Sequence, residues 1–232
     1  MTPLYLHGLP GSAAELALGS SNIPVLDRNA PSFAQLALRL PDGPLHLIGF
    51  SLGAACALRL AVLAPDKIGQ LTLISAAAPL DLGDFLPDMA GAAVFRAARS
   101  HAQLSALTAV QSTMARFTPG LMARMLARGT APQEAGLITG PAVQTALSQG
   151  LTDNKHIYLR ELPAYVQPWA HHLTQVRCPV ALIHGQADTW APPAMALALH
   201  HALPDATLTM MPELGHYACL QHALKQQPGP FQ

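Results

Sequence analysis

Three side chains in this sequence have the types and settings needed for nucleophilic attack on a carbonyl: Ser51, Asp188 and His216. A serine hydroxyl is a poor nucleophile at neutral pH. It needs a base to take its proton and a carboxylate to hold that base in the right tautomer. Ser51 lies in Gly49-Phe50-Ser51-Leu52-Gly53, a G-x-S-x-G pattern in which small residues at both ends let a helix crowd a strand and leave the hydroxyl exposed on a strained turn. Asp188 closes Gly185-Gln186-Ala187-Asp188 and His216 closes Gly215-His216, each just past an apolar run. A second acid is conceivable after the strand near Ser75, at Asp81 or Asp84. Asp188 is preferred because it follows its strand directly.

The elements that must position these groups follow from hydrophobic patterning. Apolar runs at Pro3–Leu6, Leu45–Phe50, Ile68–Ala76, Pro179–Gly185 and Ala206–Met211 predict strands, and Asn22–Asp27 predicts another whose proline suits a sheet edge. Helices are predicted at Ser32–Leu40, capped by Ser32 and stopped by Pro41, along the alanine-rich stretch after Ser51, at Pro193–Leu203 and from Tyr217 to Lys225. Alternating strands and helices predict a mostly parallel sheet flanked by helices. Ligands of such sheets bind at the carboxyl ends of the strands, and Ser51, Asp188 and His216 all fall at that edge.

Residues 79–176 interrupt the pattern with helical patches only: 90–98, 103–117, 120–128, 142–149 and 159–173. The chain therefore reads as a core of residues 1–78 and 177–232 with an all-helical insertion at 79–176. Met89, Met114, Met122 and Met125 in that insertion suit a deformable apolar pocket, or simple core filling.

Of the 232 residues half are hydrophobic and 11% are charged, and thirteen basic residues balance thirteen acidic ones. No broad electrostatic footprint for nucleic acid or anionic lipid exists, so the expected partner is a small, apolar molecule. No apolar run reaches the roughly 18 residues of a membrane span. The start lacks the features of a secretory signal, which predicts the cytoplasm. Cys56, Cys178 and Cys219 show no C-x-x-C pairing and are expected as free thiols, with Cys56 and Cys178 filling apolar space. None of the eleven histidines forms a metal-binding array, so neither a metal nor a cofactor is expected.

In order and spacing, Leu6-His7-Gly8-Leu9-Pro10-Gly11, Gly49-Phe50-Ser51-Leu52-Gly53, Gly185-Gln186-Ala187-Asp188 and Gly215-His216 resemble the cap-bearing α/β-hydrolase superfamily over nearly the full chain. The resemblance implies Ser51 as nucleophile, His216 as general base and then acid, and Asp188 as its orienting carboxylate. The backbone N–H groups of Leu9 and Leu52 would form an oxyanion hole, and the helical insertion would be a cap. His7, Met114, Trp169 and Trp190 are expected around the pocket, with Tyr165 beside Trp169. Relatives normally carry an antiparallel hairpin before the strand that opens this chain, which leaves either a minimal sheet or a start that is truncated or misassigned.

The expected activity is hydrolysis of an ester, thioester or lactone through an acyl-enzyme, with Arg96, Arg99, Arg116, Arg124 and Arg128 available to a charged group. Alternatives are a carbon–carbon bond hydrolase, an aminopeptidase with an acidic pocket built from Glu134, Glu161 or Asp153, or a ligand-binding receptor without turnover.

Overall fold

The computed structural model describes residues 1–226. Five strands, β1 (Thr2–Leu6), β2 (Leu45–Phe50), β3 (Ile68–Ile74), β4 (Val180–Gly185) and β5 (Ala206–Met211), form one sheet in the order β1-β2-β3-β4-β5 with every pairing parallel. Strands of a sheet covered on both faces read as continuous apolar runs. Accordingly Leu45, Leu47, Ile48, Phe50, Leu71, Leu73 and Ile74 are all buried in the central strands. At one edge β5 alternates half-buried and exposed positions.

The strand expected at Asn22–Asp27 is reduced to one parallel bridge, Tyr5 to Val25, beside β1. Tyr5 N–H donates to Pro24 O at 2.7 Å and Leu26 N–H to Tyr5 O at 2.9 Å. Pro24 has no N–H to give, and that confines the pairing to an edge and keeps it short.

Helix α1 (Phe33–Leu38) starts where Ser32 Oγ accepts the Gln35 N–H, and α2 (Leu52–Leu63) follows Ser51 directly. Almost all of α2 from Leu52 to Ala61 is buried, because its run of small alanines lets the helix lie close against the sheet. Between β3 and β4 the chain is helical: α3 (Ala92–Ala97), α4 (His101–Phe117), α5 (Pro119–Leu126), α6 (Pro132–Ile138), α7 (Pro141–Leu151) and α8 (Lys155–Tyr165). Then α9 (Pro193–Ala202) joins β4 to β5, and α10 (His216–Gln226) follows β5.

The expected helix at 159–173 is two pieces. α8 starts earlier, at Lys155, and ends at Tyr165; after Trp169, in an extended φ of −151°, a 3-10 turn runs Ala170–Gln175. Pro168 disfavours helical geometry in the residue before it, and Asp81 caps the new start by accepting the N–H groups of Trp169 and Ala170 at 3.1 Å each. Helix α6 and the 3-10 turns at Ala13–Gly19, Leu80–Leu82 and Leu86–Asp88 were not expected from the patterning.

Polar contacts tie the insertion to the core. Tyr165 Oη donates to Ala78 O at 2.6 Å, Arg59 Nη2 to Ala164 O at 2.8 Å, and the fully buried Arg28 pairs with Glu161 at 3.3 Å. Tyr165→Phe would leave the Ala78 carbonyl buried without its donor. It is expected to lower unfolding stability by about 1–3 kcal/mol, read as a fall in the urea midpoint at constant slope; an unchanged midpoint would show that the carbonyl finds another partner.

Cys56, Cys178 and Cys219 are free and buried. Burial pushes the Cys56 and Cys219 thiols up to about 12, so neither is a ready thiolate at neutral pH. No described helix is long and apolar enough to cross a membrane, and no described group of His, Cys, Asp or Glu is arranged to hold a metal ion.

Candidate active site

Register brings the chemistry together. Leu6 pairs with Gly49, Phe50 with Ile74, Ile74 with Ile183 and Gly185 with Met211, so the loops leaving β1, β2, β4 and β5 emerge at one sheet edge. Ser51 stands at the junction of β2 and α2 with φ 55° and ψ −123°, a positive φ that strains any residue with a side chain. The turn closes because its flanks are glycines: a Cβ at Gly53 would lie 2.1 Å from Leu6 O, and one at Gly49 2.6 Å from Ala54 Cα.

Asp188, in the loop after β4, is buried, and each of its oxygens is used. Oδ1 accepts the N–H groups of Trp190 and Ala191 at 2.9 Å each, while Oδ2 lies 2.7 Å from His216 Nδ1. The backbone donors fix the carboxylate, and the carboxylate in turn places the proton of His216 on Nδ1, leaving Nε2 as the acceptor. Burial pulls the His216 imidazole toward neutrality, but the facing Asp188 outweighs it and holds the ring above the ordinary histidine range. Conversely, burial would raise Asp188, and the adjoining imidazole keeps it below the ordinary carboxylate range. Nearby, His184 Nε2 donates to Ala191 O at 2.8 Å and so braces the same loop.

The ring of His216 packs 4.7 Å from that of Phe50, the residue before Ser51, and is stacked against Trp190 at 6.0 Å and 18°. No hydrogen bond joins Ser51 Oγ to His216 among the described residues. Contacts of this kind are often long without substrate and tighten in the complex.

On the β1 side, Gly8 N–H donates to Glu15 Oε1 at 2.9 Å, and Tyr5 Oη to the same oxygen at 2.5 Å. Burial raises the Glu15 carboxyl to about 7. With the Gly8 N–H spent on Glu15, the N–H groups of Leu9 and Leu52 donate to no described protein acceptor, and both residues line the cavity that opens onto Ser51.

That cavity, about 450 Å³, lies between the sheet edge and the insertion. Met89, Met114, Met122 and Met125 all line it, as does Trp190, and Arg128 is its one charged lining residue. Two expected pocket residues lie elsewhere. Trp169 is buried under Arg59, whose guanidinium stands 4.5 Å over its ring, in a separate small cavity. His7 faces a different cleft with Arg28 and Ser12; its Nδ1 stands 3.1 Å from Arg28 Nη2, and burial together with that guanidinium lowers its pKa to about 3. Tyr165 is likewise spent on Ala78 rather than on the pocket. Of the alternative acids, Asp81 caps the 170–175 turn and Asp84 is exposed. The acidic pocket of the peptidase alternative is not formed: Glu161 pairs with Arg28 and Arg160, Glu134 bonds backbone of α10, Asp153 lines the His7 cleft, and none lines the large cavity.

Residues 30–223 match the alpha/beta hydrolase fold family, and the chain belongs to that family. It is 28% identical over 220 residues, 94% of this chain and 78% of the other, to a pimeloyl-[acyl-carrier protein] methyl ester esterase of Chromobacterium violaceum. The Neisseria meningitidis counterpart is 29% identical, and this chain spans 66% of its length. A 2-hydroxy-6-oxononadienedioate/2-hydroxy-6-oxononatrienedioate hydrolase of Burkholderia vietnamiensis is 24% identical over 85% of this chain and 64% of its own. Among solved structures, a thermophilic esterase from Thermogutta terrifontis superimposes with a TM-score of 0.61 at 18% identity, covering 97% of this chain and 86% of that one.

Proposed function

We propose that the protein is a serine hydrolase that cleaves a small, mostly apolar ester, thioester or lactone through an acyl-enzyme. The observation that carries this is the buried 2.7 Å contact between Asp188 and His216, at the sheet edge where Ser51 is held at positive φ. In the proposed cycle His216 Nε2 takes the Ser51 proton as Oγ attacks the carbonyl carbon. The oxygen that gains charge is met by the Leu9 and Leu52 N–H groups. Collapse breaks the bond to the leaving group, which receives the proton from His216. Water, deprotonated by the same nitrogen, then releases the acid.

Support for an ester comes from the apolar walls of the cavity and from the similarity to the Chromobacterium and Neisseria proteins, which are named as methyl ester esterases. The Burkholderia relative keeps carbon–carbon hydrolysis as the second reading. A substrate with two carboxylates, as that relative's name specifies, matches a cavity with one lining arginine less well.

A series of chromogenic esters of graded acyl length tests the reading. Each methylene buried in the cavity contributes about 0.8 kcal/mol, so kcat/KM is expected to rise by about fourfold per added carbon until the chain outgrows the space. A fluorophosphonate should label Ser51 and abolish the turnover. A flat profile, or hydrolysis that survives labelling, would overturn the proposal.

A further inference from the structure

The first N–H groups of any helix lack intrahelical partners and are usually met by a serine, threonine or aspartate just before it. In α10, which begins with His216 itself, they are met from another part of the fold. Glu134 on α6 of the insertion accepts the Tyr217 N–H through Oε1 at 2.8 Å and the Ala218 N–H through Oε2 at 2.9 Å. The carboxylate is 3% exposed and has no Lys or Arg ion pair among the described residues, although Arg124 and Arg128 belong to the neighbouring stretch. Gly215 makes the approach possible: a Cβ there would lie 2.7 Å from Glu134 Cδ and Oε2. A buried carboxylate without a cation is costly unless hydrogen bonds and a favourable field hold it, and the positive end of a helix supplies both.

From these contacts we infer that Glu134 is a positioning residue for His216: it clasps the first turn of the helix that carries the base, and sets a second negative charge beside the imidazolium formed during turnover. The insertion thereby takes part in the chemistry as well as in shaping the pocket, because α10 is seated fully only when α6 is in place. The charged and titratable groups around His216 are Asp188 and His184 from the β4 side, Glu15 from the 3-10 turn after β1, Glu134 from α6, and Tyr217 on α10 itself. The Glu134 carboxyl is raised by burial, against the pull of its two N–H donors and of the His216 charge. Its charge acts on His216 in the same direction as that of Asp188.

This inference rests on His216 being the general base, and the experiment separates the two. Rates for the best ester are measured across pH for wild type, Glu134→Gln, Glu134→Asp and His216→Ala, with thermal unfolding of each. Glu134→Gln keeps the shape, loses the charge and can accept only one of the two N–H groups that the carboxylate now holds. It is expected to lower kcat by about tenfold with KM within about twofold, and to move the acid limb of kcat/KM to lower pH. The sign follows from the charge: without Glu134 the imidazolium is less favoured, so neutral, competent imidazole persists into more acidic solution. Glu134→Asp keeps the charge on a shorter arm, and its acid limb is expected to stay near that of wild type while kcat falls. It also serves where the glutamine variant is too unstable to assay. A glutamine variant with an unmoved limb and a near-normal kcat, or an aspartate variant whose limb moves like that expected of glutamine, overturns the inference. A purely structural cap would lower the unfolding temperature and leave the limb in place, which also overturns it. Activity retained by His216→Ala would instead remove the base assignment itself.

Discussion

Ser51→Ala and His216→Ala are each expected to lower kcat/KM for the best ester by at least about 10³-fold, with the double variant no slower than either alone. The non-additivity follows from their acting as one unit: an alkoxide cannot form without a base, and a base has nothing to deprotonate without the hydroxyl. Ser51 is held by its backbone, with its N–H donating to Ile74 O at 3.0 Å and its carbonyl accepting from Ala54 and Ala77, so alanine can occupy the turn at little structural cost. His216 stands with its ring against Phe50 and Trp190, and its loss opens a small void without breaking a strand. Circular dichroism of both variants is therefore expected to stay close to that of wild type; the unfolding temperature of Ser51→Ala stays close as well, while that of His216→Ala falls because Asp188 Oδ2 is left buried without its partner. Well-folded variants that turn over ester at the wild-type rate would place the reaction at another site or in a contaminant.

The sheet, and the gathering of Ser51, Asp188 and His216 at one edge of it, were legible because each depends on local signals. Unbroken apolar runs marked the buried parallel strands, and glycine at both ends of the serine turn is forced by contacts of 2.1 Å and 2.6 Å that no larger residue tolerates. What stayed hidden was whatever long-range contacts decide. α6 has seven residues with Gly136 inside it, too short for a helical period to show, although Pro132 followed by Glu134 is a helix-start signal. The turn at Ala13–Gly19 was announced by Ser12-Ala13-Ala14-Glu15, the spacing of a capping box. In the fold only half of that box forms: Ser12 Oγ accepts the Ala14 N–H, while Glu15 turns away to Tyr5 and Gly8. Arg28 and Glu161, separated by 133 positions, form a buried pair that no local spacing announces. Trp169 was misplaced for a related reason. An aromatic residue near a pocket-forming helix suggests a wall, but the break after Tyr165 rotates the chain, and the indole packs beneath Arg59 instead.

Asp188→Asn is expected to lower kcat by about 10³–10⁴-fold while leaving the fold intact. The asparagine carbonyl can keep the N–H groups of Trp190 and Ala191 that Oδ1 now holds. Its amide then faces His216 Nδ1, across the gap that Oδ2 spans at 2.7 Å. An amide donates, so Nδ1 must accept, and the ring proton moves to Nε2. In that tautomer the nitrogen that should take the Ser51 proton already carries one. The pH profile gives an independent reading. In wild type the Asp188 carboxylate holds the His216 pKa up against burial; with the carboxylate gone burial prevails, the pKa falls, and the acid limb shifts to lower pH even as the plateau drops. Asp81→Asn is the control, since Asp81 caps the turn at 170–175 and does not touch His216. Its rate is expected within about twofold of wild type, the range of substitutions remote from a reacting group. A loss at Asp81 as deep as that at Asp188 would mean that the imidazole takes its orientation from the acid after β3, through a rearrangement of the 170–175 turn, and that the 2.7 Å contact is not the working one.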